Sequence, residues 1–81
     1  MTKNEINKIE IGTLVLLSQK VTGAKRVAEV VRFATDENYP VKLTYITNVP
    51  KHGPTVFGWD PERSKNAKII GHKNDHPEYY L

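Results

Sequence analysis

The sequence contains no cysteine, and this absence excludes two common ways of stabilising a small protein. Without thiols the chain forms neither a disulfide framework nor a zinc site with cysteine ligands. It also lacks an apolar run near the roughly 18 residues that a membrane span needs, since the longest such run is Leu14 to Leu17. The polar N-terminus has no apolar signal stretch. These absences predict a soluble, cytoplasmic protein with no membrane partner.

A chain of 81 residues allows one domain with a modest core. General acid–base catalysis needs carboxyl groups whose pKa values are shifted by desolvation or by neighbouring groups. Here the carboxylates of the second half lie in turn-forming stretches, at Asp36–Glu37, Asp60–Glu62 and Asp75–Glu78. The sequence therefore predicts a protein that is not an enzyme and that holds no cofactor.

The positive charge is unevenly distributed along the chain. Residues 1–33 carry six Lys or Arg against three acidic residues, whereas residues 34–81 carry six of each, so the first part supplies the whole net charge of +3. A basic face attracts nucleic acid or an acidic protein surface. The alternative is an ordinary soluble surface, because a net charge of this size is common in small domains.

Alternation of apolar and polar residues predicts five strands. They cover residues 9–17, 25–34, 41–46, 56–59 and 67–71. In the third strand Val41, Leu43 and Tyr45 are expected to face the core. The second strand has Glu29 at one parity and Arg32 at the other, which leaves open which of its faces is inside.

Turn signals separate these strands. Thr22-Gly23 and Asp36–Asn38 favour tight turns, and Asn48–Pro54 favours a long loop. Asp60 followed by Pro61 is typical of a single helical turn, because Asp caps free N–H groups and Pro suits the first helical position. The sequence thus predicts a flexible arm over residues 1–8, a folded domain over residues 9–71 and a polar tail over residues 72–81.

The order of these elements resembles that of the SH3-like barrels, a group that includes KOW and Tudor-type modules. The resemblance rests on Gly12-Thr13-Leu14-Val15, Gly23, Ala28-Glu29-Val30, Trp59-Asp60-Pro61 and Ile69-Ile70, and it covers residues 9–71. It implies a mainly β fold, a small five-stranded barrel with one short helical turn before the last strand. It also implies that the chain binds nucleic acid or peptide segments through loops and an aromatic-bearing face.

Four cations are candidates for contact with a polyanionic partner. Lys20, Lys25 and Arg26 flank the Thr22-Gly23 turn, and Arg32 follows on the same strand. Mobile cations beside backbone N–H groups bind phosphate well. The alternative is a solvated hairpin tip whose charges discourage aggregation.

The single tryptophan, Trp59, has two interpretations. It shares a parity with Phe57, which favours a place in the core. A partly exposed Trp59 beside the loop that carries Lys51 and His52 would instead form a contact site for a base or a peptide.

A metal site is the weakest candidate. His72, Asp75 and His76, with His52 as a distant fourth ligand, supply ligand chemistry. Pro77 and the Asn74-Asp75 pair favour a turn over the helical spacing that would align them. The sequence therefore predicts no metal, and it leaves open whether the tail is disordered, folds back or docks elsewhere.

These observations lead to one hypothesis and two rivals. The hypothesis is a non-catalytic binding module for nucleic acid or for a protein of a nucleic-acid-handling complex. The first rival is a small inhibitor or adaptor, such as a phage or mobile-element factor that binds a host protein complex. The second is a homo-oligomer with a structural role, which stays open because the sequence does not determine the oligomeric state.

Overall fold

The computed structural model describes residues 1–19, 21–49, 51–52 and 55–80. It contains one short helix, five strands and two 3-10 helices. They are α1 (Lys3–Asn7), β1 (Thr13–Ser18), β2 (Lys25–Phe33), β3 (Val41–Tyr45), β4 (Val56–Trp59), β5 (Ala67–His72), and the 3-10 helices Lys73–Asp75 and Pro77–Tyr80. The mainly β class and the number of strands are confirmed.

The five strands form one antiparallel sheet in the order β4-β3-β2-β1-β5. The first four strands are consecutive neighbours, and β5 returns to pair with β1. Among the described strands β4 and β5 do not pair, so the sheet is not closed into a barrel.

The main core lies on one face of the sheet. Its buried members come from four strands: Val15, Ala28, Val30, Val41, Leu43 and Trp59. Leu43 has no exposed surface, Val41 is buried beside it and Tyr45 packs at the margin of the cluster. The inward orientation predicted for these three β3 residues is therefore confirmed.

Strand pairing settles which face of β2 is inside. Ala28 lies between Val15 of β1 and Tyr45 of β3, and it is fully buried in the core cluster. Glu29 lies opposite Leu14, on the other face of the sheet. Leu14 is buried as well, so β1 contributes buried side chains on both of its faces.

The C-terminal segment, residues 73–80, folds back onto that second face. The Tyr80 hydroxyl donates a hydrogen bond to Glu29, and Lys73 Nζ lies 4.0 Å from a Glu29 carboxylate oxygen. Burial and this carboxylate together raise the pKa of Tyr80. Of the three arrangements that the sequence leaves open for the tail, the structure has the one that folds back.

The first strand begins later than the sequence predicts. The predicted start at Ile9 is wrong because Glu10 and Thr13 form a turn, in which Thr13 N–H donates to Glu10 O at 3.0 Å and Glu10 N–H donates to Thr13 Oγ1 at 2.8 Å. Gly12 completes the turn with a φ of 95°, a value that favours glycine. Ile11 is consequently 57% exposed.

A capping box organises the residues that the sequence assigns to an arm. The Thr2 hydroxyl accepts from Glu5 N–H while the Glu5 carboxylate accepts from Thr2 N–H, which nucleates α1. Met1 and Ile9 pack against the core on either side of this helix. Among the described residues no helix is long and apolar enough to cross a membrane.

The two histidines of the C-terminal region have structural hydrogen bonds. His72 Nδ1 accepts from Asn74 N–H at 3.1 Å, so its Nε2 carries the hydrogen directed at Ile11 O. His76 faces two acceptors, Glu78 Oε1 at 2.9 Å and Ile70 O at 3.1 Å. The part of the chain that the structure describes holds no group of three or more metal-ligating side chains.

The Leu43→Ala substitution tests the core. Leu43 is fully buried between Val30 of β2 and Phe57 of β4, so truncation leaves a cavity that the flanking strands cannot fill. We expect a loss of about 2–5 kcal/mol in the free energy of unfolding, measured by urea denaturation. Val21→Ala is the control, because Val21 is 97% exposed and its truncation should leave the midpoint unchanged.

The contact between His76 and Glu78 should make the stability of the fold depend on pH. The Glu78 carboxylate raises the pKa of His76 above its usual 6.5. The stability that this contact gives to the folded state is complete below pH 6.5, and it is lost as the pH rises through the raised pKa. Hydrogen bonds from its own backbone N–H and then from His76 hold the pKa of Glu78 below 4.5. The carboxylate's contribution to the stability of the fold is therefore lost as the pH falls through this lowered pKa. The contact should therefore stabilise most between about pH 4.5 and 6.5.

The measurement is the urea midpoint of the wild type and of His76→Gln across this pH range. The difference between the two proteins should be largest inside the window and should shrink on the alkaline side. His52→Gln, a change at an exposed loop position, is the matched control. A difference that stays constant with pH would show that the His76 charge contributes nothing.

Candidate functional site

Strand pairing collects cations at one end of the sheet. Lys25 and Arg26 lie opposite Ser18 and Leu17 of β1, while Lys68 of β5 lies opposite Leu16 on the other side of that strand. Because neighbouring strands are about 4.8 Å apart, β2 and β5 lie about 10 Å apart across β1. We call this region the basic end, and it comprises Lys25, Arg26, Arg63, Lys65 and Lys68.

The β3–β4 connection lies at the same end. Asn48 Nδ2 donates to the carbonyl oxygen of Lys25 at 3.3 Å, and Thr47 Oγ1 accepts from Val27 N–H at 2.8 Å. Lys51 and His52 are exposed farther along this connection. Two groups of predicted contact residues are thus brought to one end of the sheet.

Arg26 is held by an aromatic pair. Its guanidinium carbon lies 5.4 Å from the centroid of the Tyr45 ring, and Tyr45 stacks on Phe57 with centroids 4.5 Å apart. The Nε atom is buried and has no hydrogen-bond partner. Within the described residues no carboxylate pairs with Arg26, so its charge is positioned but not neutralised.

A cleft of about 440 Å³ lies at the same end of the sheet, between the end of β4 and the start of β5. Leu17, the cross-strand partner of Arg26, lines it. Five further lining residues carry side-chain hydrogen-bond donors, namely Ser18, Arg63, Ser64, Lys65 and Asn66, and Trp59 and Ala67 complete the lining. No carboxylate is part of this lining, which suits an anionic or acceptor-rich ligand.

Asp60 is one of two carboxylates in this connection, the other being Glu62, and it is already engaged. One oxygen accepts from Glu62 N–H at 3.0 Å and the other lies 3.3 Å from Arg63 Nε. The carbonyl oxygen of Asp60 accepts from Arg63 N–H and from the Ser64 hydroxyl. The Asp60-Pro61 signal predicts this turn, and the turn positions the chain that forms the wall of the cleft.

Trp59 belongs to the core and forms part of the cleft wall. Only 6% of its surface is exposed, and its indole Nε1 is buried without a hydrogen-bond partner. Its ring is therefore not open for stacking with an incoming base. Of the two interpretations of Trp59, the structure has the one in which it belongs to the core.

One predicted contact residue, Arg32, is not part of the basic end. Arg32 lies opposite Lys42, six residues from Arg26 along β2 and hence roughly 20 Å away. Lys20 lies outside the described residues.

Sequence reasoning missed Arg63, Lys65 and Lys68. These residues are spaced along the β4–β5 connection and the start of β5, and no local pattern relates them to the first hairpin. The pairing of β5 with β1 brings them there. Within the part of the chain that the structure describes, Lys65 and Lys68 lie near no carboxylate, so both charges are available to a ligand.

The tryptophan environment predicts a spectroscopic property. Because Trp59 is the single tryptophan and is buried, its emission should lie at a shorter wavelength than that of tryptophan in water. Acrylamide should quench it far less in the folded protein than in urea. Equal quenching in the two states would contradict the buried position and with it the cleft wall.

Comparison with known proteins finds no relative. No family model matches the chain, no curated protein matches its sequence and no solved structure matches its fold. The geometry of the basic end therefore carries the functional inference.

Proposed function

We propose that this protein is a non-catalytic binding module that holds the phosphate backbone of a nucleic acid at its basic end. The single observation that carries the proposal is the state of Arg26. Its guanidinium lies over Tyr45, partly buried and without a carboxylate partner among the described residues, while Lys25, its neighbour along β2, is exposed on the opposite face.

A phosphate group fits this position for a physical reason. Removing a charge from water is costly unless an opposite charge or hydrogen bonds compensate it. Guanidinium presents its N–H groups in a planar fork that matches two phosphate oxygens, and stacking on Tyr45 limits its rotation before the ligand arrives. Lys65 lines the cleft beyond Leu17, while Lys25 and Lys68 lie on the opposite face of this end of the sheet and add positive charge there.

The cleft adds hydrogen-bond donors at the same end of the sheet. Its hydroxyl and amide groups, from Ser18, Ser64 and Asn66, suit sugar and phosphate oxygens, and its volume is within the range of small-ligand sites. The buried Trp59 ring offers no stacking surface. Recognition should therefore depend on the backbone of the nucleic acid, with little preference for base sequence.

The topology supports placing the chain among the SH3-like barrels. The sheet has a four-stranded meander, a fifth strand that returns to the first and a single turn between β4 and β5. These are the features that the sequence resemblance implies. The open β4–β5 edge is a departure from a closed barrel, and the donor-rich cleft lies there.

The carboxylates support a role without catalysis. Asp36 lies 3.9 Å from Lys42, Asp60 pairs with Arg63, and Glu29 receives the Tyr80 hydroxyl. Each of these acids thus has a structural partner, and none of them lines the cleft.

Binding to a labelled single-stranded oligonucleotide of about 20 nucleotides tests the proposal, with fluorescence anisotropy measured across a range of salt concentrations. The double variant Arg26→Gln with Lys65→Gln removes the guanidinium that carries the proposal and an exposed lysine of the cleft lining. It should weaken binding at low salt and reduce the slope of log K against log salt by about 1.4, because each phosphate contact contributes about 0.7.

The matched control removes two exposed cations elsewhere, by Arg32→Gln with Lys3→Gln. This variant has the same net charge and should retain nearly the full slope. Equal loss in both variants would mean that only net charge matters and would refute a localised site. Absence of binding at low salt would refute the proposal as a whole.

A further inference from the structure

A second cleft lies at the other end of the sheet, away from the basic end. Its volume is about 360 Å³ and its walls come from α1, the end of β2, the start of β3 and the β4–β5 connection. The apolar part of its lining is Ile6, Ile9, Phe33, Pro40, Val41 and Pro61. We call this cleft the apolar groove.

The walls of the apolar groove are fixed by local hydrogen bonds. The Thr2–Glu5 capping box holds α1, and Ala34 N–H donates to Pro40 O at 2.8 Å. The Asp36 carboxylate accepts from the N–H groups of Asn38 and Tyr39, which shapes the β2–β3 turn. The groove is thus formed before any ligand arrives.

Phe33 leaves much of its ring uncovered at this groove. It lies opposite Val41 in the sheet and is nonetheless 51% exposed. Exposed apolar surface that is gathered in a concave place marks a contact site more often than isolated exposed residues do.

The polar part of the lining is entirely acidic. Glu37, Asp60 and Glu62 line the groove, and no Lys or Arg does. Asp60 is compensated by Arg63, but within the described residues no cation lies within ion-pairing distance of Glu37 or Glu62. A protein with a net charge of +3 therefore presents a local negative rim around an apolar depression.

We propose that the apolar groove docks a segment of a partner protein that carries one large apolar side chain flanked by Lys or Arg. Charge complementarity selects this occupant, because Glu37 and Glu62 repel phosphate groups and attract cations. The proline and isoleucine walls suit an apolar side chain, and the volume suits one or two such side chains.

The two ends of the sheet then have opposite preferences. The basic end favours an anion and the apolar groove favours a cationic, apolar segment, so both sites can be occupied together. The proposal does not depend on nucleic-acid binding, since the two sites share no lining residue.

The test uses a fluorescein-labelled peptide in which one phenylalanine is flanked on each side by two lysines, with binding followed by anisotropy at low salt. The double variant Glu37→Gln with Glu62→Gln should weaken saturable binding by about fivefold, because two rim charge pairs are lost. Asp75→Lys is the matched control: it changes the net charge equally at an exposed position outside the groove, and it should leave affinity unchanged.

Two altered peptides complete the design. Replacing phenylalanine by alanine should reduce affinity by at least about tenfold, since the apolar anchor is removed. Replacing the lysines by glutamates should abolish binding. Equal binding of all three peptides, or equal effects of the groove variant and Asp75→Lys, would overturn the proposal.

A second copy of this chain is the competing occupant. Val21 is 97% exposed at the hairpin that leads to Lys25 and Arg26, so this tip carries an apolar side chain near cations. Self-association can be measured by sedimentation. If the protein self-associates, and if both the double variant Glu37→Gln with Glu62→Gln and the variant Val21→Asp abolish the association, a second copy of the chain is the occupant and the proposal of a partner segment is overturned. A monomer that still binds the labelled peptide supports the proposal.

Discussion

The structure depends on the double pairing of β1. This strand pairs with β2 on one side and with β5 on the other, so it connects the first hairpin to the end of the chain. Val15 is fully buried in the main core and Leu14 is fully buried on the opposite face. A small protein has little apolar surface to bury, and an interior strand that is covered on both faces uses it efficiently.

The same pairing separates the two proposed contact surfaces. At one end it places Lys25 and Arg26 across β1 from the start of β5, and the cleft opens where β4 and β5 fail to meet. At the other end, α1 and the β2–β3 turn enclose the apolar groove with its acidic rim. Under these proposals, opposite charges at the two ends of one sheet would give a weakly charged protein two distinct kinds of contact.

Local sequence signals predicted individual elements well. Alternation in Val41–Tyr45 predicted both the strand and its buried face, and Asp60-Pro61 predicted the turn before β5. The start of β1 was missed because alternation continues through Ile9 and Ile11, whereas the Glu10–Thr13 hydrogen bonds end the strand. The capping box at Thr2 and Glu5 was an available signal for α1 that the polar composition of this stretch obscured.

The sequence by itself determined the class of the fold, the number and approximate positions of the strands, and the excess of cations in its first part. Only the tertiary structure decided which face of β2 is inside, that Arg32 lies far from Arg26, and that Lys65 and Lys68 join Lys25. The physical reason is the distance along the chain over which each kind of interaction acts. Alternation and turn chemistry act within a few residues, whereas a binding surface is assembled by strand pairing between segments some 40 residues apart, such as Arg26 and Ala67 on either side of Leu17.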